Sequence, residues 1–359
     1  MKLFKTLSLL AVGLGVVGLV SSQGCGGSSG NGSGTAGPDP NAKTPPGVPV
    51  GAAPAADSPG RTFALNQLFL GETDRTGKPV KDAWKDYGYN IDGLTTTKTD
   101  TNVCQRQGGA DSAKQEDGNG GIDNAFGRTV LGFILGLVPT PSKTINDSIQ
   151  GGSFTILLTV KGLTDDPHQT NTNLNGDLRV GGAYGVGKKP TFSPDDDWPY
   201  RKDPAPIPFV GAYINNGTFV NGAGGATVEL SLFIQGVQLS LTINRAAIVF
   251  DHTAPNDATN GTISGVIGTE ALVSGIEKVA GRISTQLCGG STLDTIKQTI
   301  RQASDILQDG SNRAGVPCDS ISIGLGFTGK KIGDPKTIAV DAVAPPDPCK
   351  AGDGGTDGG

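Results

Sequence analysis

Between residues 226 and 243 the chain alternates apolar and polar side chains with a period of two, a rhythm that only a half-buried strand satisfies. Val228, Leu230 and Leu232 share one face of Ala226-Thr227-Val228-Glu229-Leu230-Ser231-Leu232-Phe233-Ile234, and Val237, Leu239, Leu241 and Ile243 repeat the pattern with Gln238, Ser240 and Thr242 opposite. Successive strands of this kind pair antiparallel. Further strands are expected at 63–70, 154–160, 176–184, 208–214, 246–250 and 261–267. Ile321, Ile323, Leu325 and Phe327 alternate once more as a closing strand, with 337–340 pairing to it. The 57 glycines and the 5% aromatic content suit many short strands joined by turns.

Helical spacing interrupts this texture twice. Phe126, Val130, Leu131, Phe133, Ile134, Leu135 and Leu137 give a buried helix at 125–138, ended by Pro139, with a short helix after it at 142–149. Leu272, Val273, Ile276, Val279, Ala280, Ile283 and Leu287 then mark an amphipathic helix at 270–287. A second helix starts at Ser291, with Asp294 in the reciprocal capping position, and runs through Ile296, Ile300 and Leu307 to Gly310. The fold class is therefore α+β: a mostly antiparallel, sandwich-like sheet with a C-terminal helical hairpin packed on it.

The N-terminus carries an address. Lys2 and Lys5 precede an apolar core at 9–20, too short for the roughly 20 residues a bilayer span needs, and small or polar residues lead to Gly24 and Cys25. This stretch resembles a bacterial lipoprotein signal, with Ser22 standing where that family usually carries Leu. The resemblance implies acylation of Cys25, membrane attachment through it, and, from Gly26 rather than Asp after the cysteine, sorting to the outer membrane. As a whole the chain also resembles the Gly-rich exported lipoproteins of myxobacteria and their relatives. The expected organisation is a signal peptide at 1–24, a lipid-anchored disordered linker at 25–60, one globular domain at 61–349 and a disordered tail at 350–359. The linker's Gly, Ser, Pro and Ala bury too little surface to repay their ordering entropy.

Setting Cys25 aside leaves Cys104, Cys288, Cys318 and Cys349, an even set suited to two disulfides in an oxidising compartment. Four cysteines allow three connectivities. The preferred one joins Cys288 to Cys318, stapling the second C-terminal helix between its flanks, and leaves Cys104 for Cys349. No CxxC spacing supports a zinc site.

Candidate sites are few. In Asp117-Gly118-Asn119-Gly120-Gly121-Ile122-Asp123-Asn124, oxygen side chains separated by glycines match the way a loop wraps calcium, with Asp117, Asn119 and Asp123 as ligands. The competing reading is a turn in which Asp123 or Asn124 caps the next helix. Asp92 and Glu116 complete a cation site only if the fold brings them in. Asp195-Asp196-Asp197-Trp198-Pro199-Tyr200 offers carboxylates beside aromatics, so Asp197, Trp198 and Tyr200 are candidates for binding or cleaving carbohydrate.

Other signals are weaker. Asp251 and His252 are neighbours on a strand and point to opposite faces, which argues against a dyad. Gly182 to Lys189 departs from a phosphate-binding loop at its last position and has Pro190 where a helix should begin. A net charge of −5 without a basic cluster argues against nucleic acid. The sequence thus points to an outer-membrane lipoprotein with a disulfide-stabilised, β-rich domain, calcium as its one candidate cofactor, and a binding or structural role toward carbohydrate or an envelope protein. An exported hydrolase working through the 195–200 loop is the alternative, and an enzyme is the less favoured class.

Overall fold

The structure, a computed structural model, describes residues 38, 40–107, 115–185, 187–222, 225–234, 237–339 and 348–349. The leader with Cys25 and the tail at 350–359 lie outside the described residues. Strands β1 (Arg61–Phe69), β2 (Thr155–Lys161), β3 (Asn171–Gly181), β4 (Ile207–Pro208), β5 (Ala212–Asn215), β6 (Thr218–Val220), β7 (Ala226–Ile234), β8 (Val237–Ala254), β9 (Asp257–Gly268) and β10 (Ser320–Ile332) are joined by antiparallel ladders throughout. Among the described residues four α-helices accompany them: α1 (Leu131–Leu137), α2 (Pro141–Gln150), α3 (Thr269–Ile283) and α4 (Ser291–Gln302). The fold is α+β with a mostly antiparallel sheet, as the alternation implied.

The pairing does not divide into two stacked layers. It runs β2, β1, β10, β9, β8, β6, β5, β3, and β3 pairs back to β2 from Thr155↔Gly181 to Lys161↔Asn175, so eight strands close on themselves. A ring of that size is just wide enough for side chains to fill. Phe63, Phe219, Phe250 and Phe327 do so, with Phe219 and Phe250 stacked at 4.8 Å between centroids. Alternation sorts their neighbours outward: Ala64 and Leu157 pack under Trp198, Val220 and Val249 under Tyr89 and Tyr213, and Phe69 against Tyr87.

Strand β10 shows why Ile323-Gly324-Leu325-Gly326-Phe327 has this composition. Its large residues face inward, while a Cβ on Gly324 would meet the Tyr87 carbonyl oxygen at 2.2 Å and one on Gly326 the Tyr87 ring at 2.2 Å. The glycines let residues 84–88 lie flat on the outside of the barrel.

Helix α2 completes the wall where β2 stops. Strand β2 pairs only with 61–64 of β1, and α2 side chains serve the rest. The Asn146 amide donates to Leu68 O and accepts from Leu68 N, Gln150 donates to Asn66 O, and Ser142 Oγ accepts from Leu70 N. The carboxylate of Glu72 in turn accepts from Ser142 N and Ser142 Oγ, placing a negative charge at the helix N-terminus where the dipole favours it.

Helix α3 lies on β8 and packs against α4, burying Leu272, Ile276, Ile296 and Ile300 with Leu239 and Leu241. Helix α4 stops at Gln302, earlier than its apolar spacing suggested. The chain turns back there, so that Ile306 bridges to Ser320 and Ser304 Oγ meets Thr269 Oγ1 at 2.7 Å. Of the expected strand at 337–340, position 340 lies outside the described residues, and 337–339 make one bridge, Ile338 to Tyr200.

Two expectations need correction. The disulfides join Cys104 to Cys318 and Cys288 to Cys349, with Cα separations of 5.2 and 5.1 Å. The return of the chain after α4 carries Cys318 to the 101–107 loop, where Gln105 bridges Pro317, and away from Cys288. Cys349 reaches the end of α3, and a Cβ on Gly281 would overlap its sulfur. The second correction concerns the linker. Residues 40–60 lie along the barrel: Lys43 N donates to Gly120 O, Asn90 N to Lys43 O, Ala55 N to Thr172 O, and Tyr213 Oη to Pro46 O. Such backbone pairing holds a Pro-rich segment without a hydrophobic core of its own.

Candidate functional site

The run singled out for calcium is a packed turn. Gly118 N donates to Ile122 O, and Asn119 N to Lys85 O, with Gly118 pressed so close to Lys85 that a Cβ would meet Lys85 O at 2.6 Å. Asp117 Oδ2 accepts from Thr96 N, Asp123 Oδ2 from Ile91 N, and Asn119 Nδ2 donates to Asp86 Oδ1. Among the described residues, no group of three or more His, Cys, Asp or Glu side chains is arranged to hold a metal ion. The capping role falls to Asn124, whose Oδ1 accepts from Gly127 N at 2.9 Å.

The fold does bring Asp92 to Asp117 and Asp123, and adds Asp305, which sequence reading missed. Burial is the first cause that pushes all four carboxyls upward, and repulsion from neighbouring carboxylates adds to it at Asp92, Asp117 and Asp123. Asp92 is raised to about 6 and Asp117 to about 8, while Asp123, wholly buried, is held well above the carboxylate range. Arg128 pulls Asp117 and Asp305 the other way. The cluster's chemistry is that of held protons. Glu116 stands apart, paired with Lys85 and Lys98.

The 195–200 loop is folded down as well. Trp198, expected as an exposed stacking face, is fully buried over Ala64 and Leu157, and its Nε1 donates to Gly182 O at 2.8 Å. Asp196 is buried and accepts from Tyr184 Oη, Thr191 N, Thr191 Oγ1 and Phe192 N. Asp197 accepts from Lys336 N and Thr337 Oγ1, and Tyr200 lies under the Arg179 guanidinium at 4.9 Å. These groups hold the loop against the barrel and do not converge on a groove. His252 is buried edge-on to Phe63, and burial holds its pKa below the usual value. Asp251 faces the other way, toward Thr218 and Asn260.

What sequence reading passed over is a cavity of about 770 Å³ outside the barrel wall, between the hairpin at 73–79, the Trp84 turn and the starts of α1 and α2. Phe69, Trp84, Leu131 and Leu135 form its apolar surface. A Cβ on Gly127 would meet the Trp84 Cβ at 2.6 Å, so the glycine seats the indole, whereas Gly132 faces open space. Residues Phe126–Val130 form a π-helical turn before α1, a local widening often found at functional positions. It delivers Arg128 to the cavity wall, with Nη1 donating to Glu116 O. Arg128 Nη2 and Thr73 Oγ1 are buried behind that wall without partners and closed off from the cavity. The residues come from four separated segments, and the one local hint was the paired glycines of positions 71 and 127 around Trp84.

No family model, no curated protein and no solved structure matches this chain.

Proposed function

We propose that this protein is an outer-membrane lipoprotein, attached through acylated Cys25, whose barrel domain works by binding a small ligand in the cavity beside Trp84. The observation that carries the binding role is that cavity: about 770 Å³, apolar along Phe69, Trp84 and Leu131, with Glu72, Lys81, Asp82 and Lys143 among its polar lining. Sites of this kind are concave and mostly apolar, with a few placed polar groups. Asp196, Asp197 and His252, which sequence reading weighed for catalysis, are engaged by protein partners, which supports binding over hydrolysis. The address rests on the lipoprotein-like leader and on the even set of four bridged cysteines.

Each half has its own test. Cells expressing the native chain should incorporate labelled fatty acid into it, and Cys25→Ser should move it out of the membrane fraction; a Cys25→Ser protein that stays membrane-bound removes the address. For binding, ligand-observed NMR against a panel of small aromatic acids, amides and sugars should give signals that Gly132→Trp, which fills the cavity, abolishes. Signals that survive Gly132→Trp, or none with either protein, defeat the binding role.

A further inference from the structure

We infer that residues 44–49 are a displaceable latch in a groove built for an extended proline-rich peptide, and that the groove takes such a segment from a partner protein when the latch leaves. The groove shares no lining residue with the cavity beside Trp84. Its floor is the outer face of the barrel: Tyr213 and Asn215 of β5, Val220 of β6 and Val249 of β8 lie on one side of the pleat, with Tyr89 packed among them. Thr44-Pro45-Pro46-Gly47-Val48-Pro49 crosses this floor as neither helix nor strand. Proline has no N–H, so the segment offers mainly carbonyls. The floor answers with donors, Tyr213 Oη to Pro46 O at 2.6 Å and Asn215 Nδ2 to Gly47 O at 3.0 Å. Pro46 and Pro49 stand three residues apart, the period of a polyproline helix, and both are half-buried while Gly47 and Val48 between them are exposed. Aromatic grooves read proline-rich peptides in this way.

The segment is held as a ligand is held. None of the residues from 43 to 50 is buried and Val48 is 48% exposed. A cavity of about 270 Å³ remains between Pro45, Pro46 and Val48 and the wall at Tyr89, Tyr213 and Val220. Those three wall side chains, by contrast, are buried, and release of the latch bares them as one apolar patch that needs a cover. A second proline-rich segment supplies that cover with the same rings and the same carbonyls.

The test uses the full chain carrying Cys25→Ser and a labelled peptide of residues 44–51. Pro46→Asp with Pro49→Asp disables the latch in place, and fluorescence anisotropy should then show saturable binding, tighter by about tenfold or more than to the chain whose own latch competes. Tyr213→Phe and Asn215→Ala in that background should each weaken it about fivefold. Binding that ignores both substitutions, a folded latch variant that does not bind, or an intact latch chain that binds as tightly overturns the inference. Should the latch variant fail to fold, the chain with its latch intact decides. Lys43 N and O are both hydrogen-bonded, so trypsin cuts Lys43–Thr44 when the segment lifts, and the peptide, by trapping the open groove, should speed that cut about threefold or more in a saturable manner. A cutting rate indifferent to the peptide overturns the proposal.

Discussion

Asn124 pairs through its side-chain amide with both backbone groups of Gly324, donating to the carbonyl at 3.1 Å and accepting from the N–H at 3.0 Å across 200 residues of sequence. The same Nδ2 also donates to Trp84 O and Tyr87 O, so one side chain fastens the cavity's aromatic turn to the outside of β10.

Asn124→Ala leaves several buried backbone groups without partners, at about 1–3 kcal/mol for each that water does not reach. A loss of about 3 kcal/mol or more in urea denaturation is expected. Asn124→Asp keeps the acceptors, loses the donors and should be nearly as damaging. Gly324→Ala displaces the same turn, so its cost and that of Asn124→Ala should be less than additive in a double-mutant cycle.

Stability should fall as pH rises. In the folded chain Asp92 and Asp117 hold protons to about 6 and about 8, whereas an unfolded Asp releases its proton near 3.9. The folded state therefore binds more protons across this interval. The stabilisation is complete below about pH 4 and is lost as pH climbs through the folded values. Thermal melts between pH 4.5 and 8.5 should show Tm decreasing, and Asp117→Asn, which keeps an acceptor for Thr96 N, should raise Tm at pH 8.5 by a few degrees and flatten the profile.

The same variant decides the calcium question. With Asp117 and Asp123 occupied by backbone N–H groups, melts in calcium and in chelator should superimpose. A calcium-induced rise that Asp117→Asn abolishes would restore the cation reading of this loop.

The two disulfides should differ in weight. Cys104–Cys318 spans 214 residues and Cys288–Cys349 spans 61. Loop entropy then makes the first worth about 1 kcal/mol more in restraining the unfolded chain. Paired substitution to Ala at 104 and 318 should lower the urea midpoint further than at 288 and 349.

Trp198→Ala removes a fully buried indole beneath the 195–200 loop. A cost of about 3–5 kcal/mol is expected, with no change in the affinity of any sugar that the wild type binds. A sugar affinity lost with little change in stability would return Trp198 to the role first read from its neighbours.

Strand positions and the α+β class were legible because period-two alternation is written into each segment, as in Val249 outward and Phe250 inward. Closure of the sheet was not, since a sandwich and a barrel demand the same alternation and differ only in whether β3 finds β2. Trp198 and the acidic loop misled for a related reason: a polar, Pro-containing loop looks exposed until Ala64 and Leu157 turn out to need a cover. Asp305 and Arg128 reach their cluster from segments far apart in the chain, and no local pattern announces such a meeting.

The pinning of Lys43 between Gly120 and Asn90 would set the length of any tether formed by the residues before it. Were the chain free as far as Arg61, a lipid on Cys25 could pay out as much as about 120 Å of backbone; with Lys43 held, at most about 60 Å remains. If Cys25 is acylated, the mouth beside Trp84 would patrol a thin shell next to the bilayer, and a ligand for it would have to come to that shell.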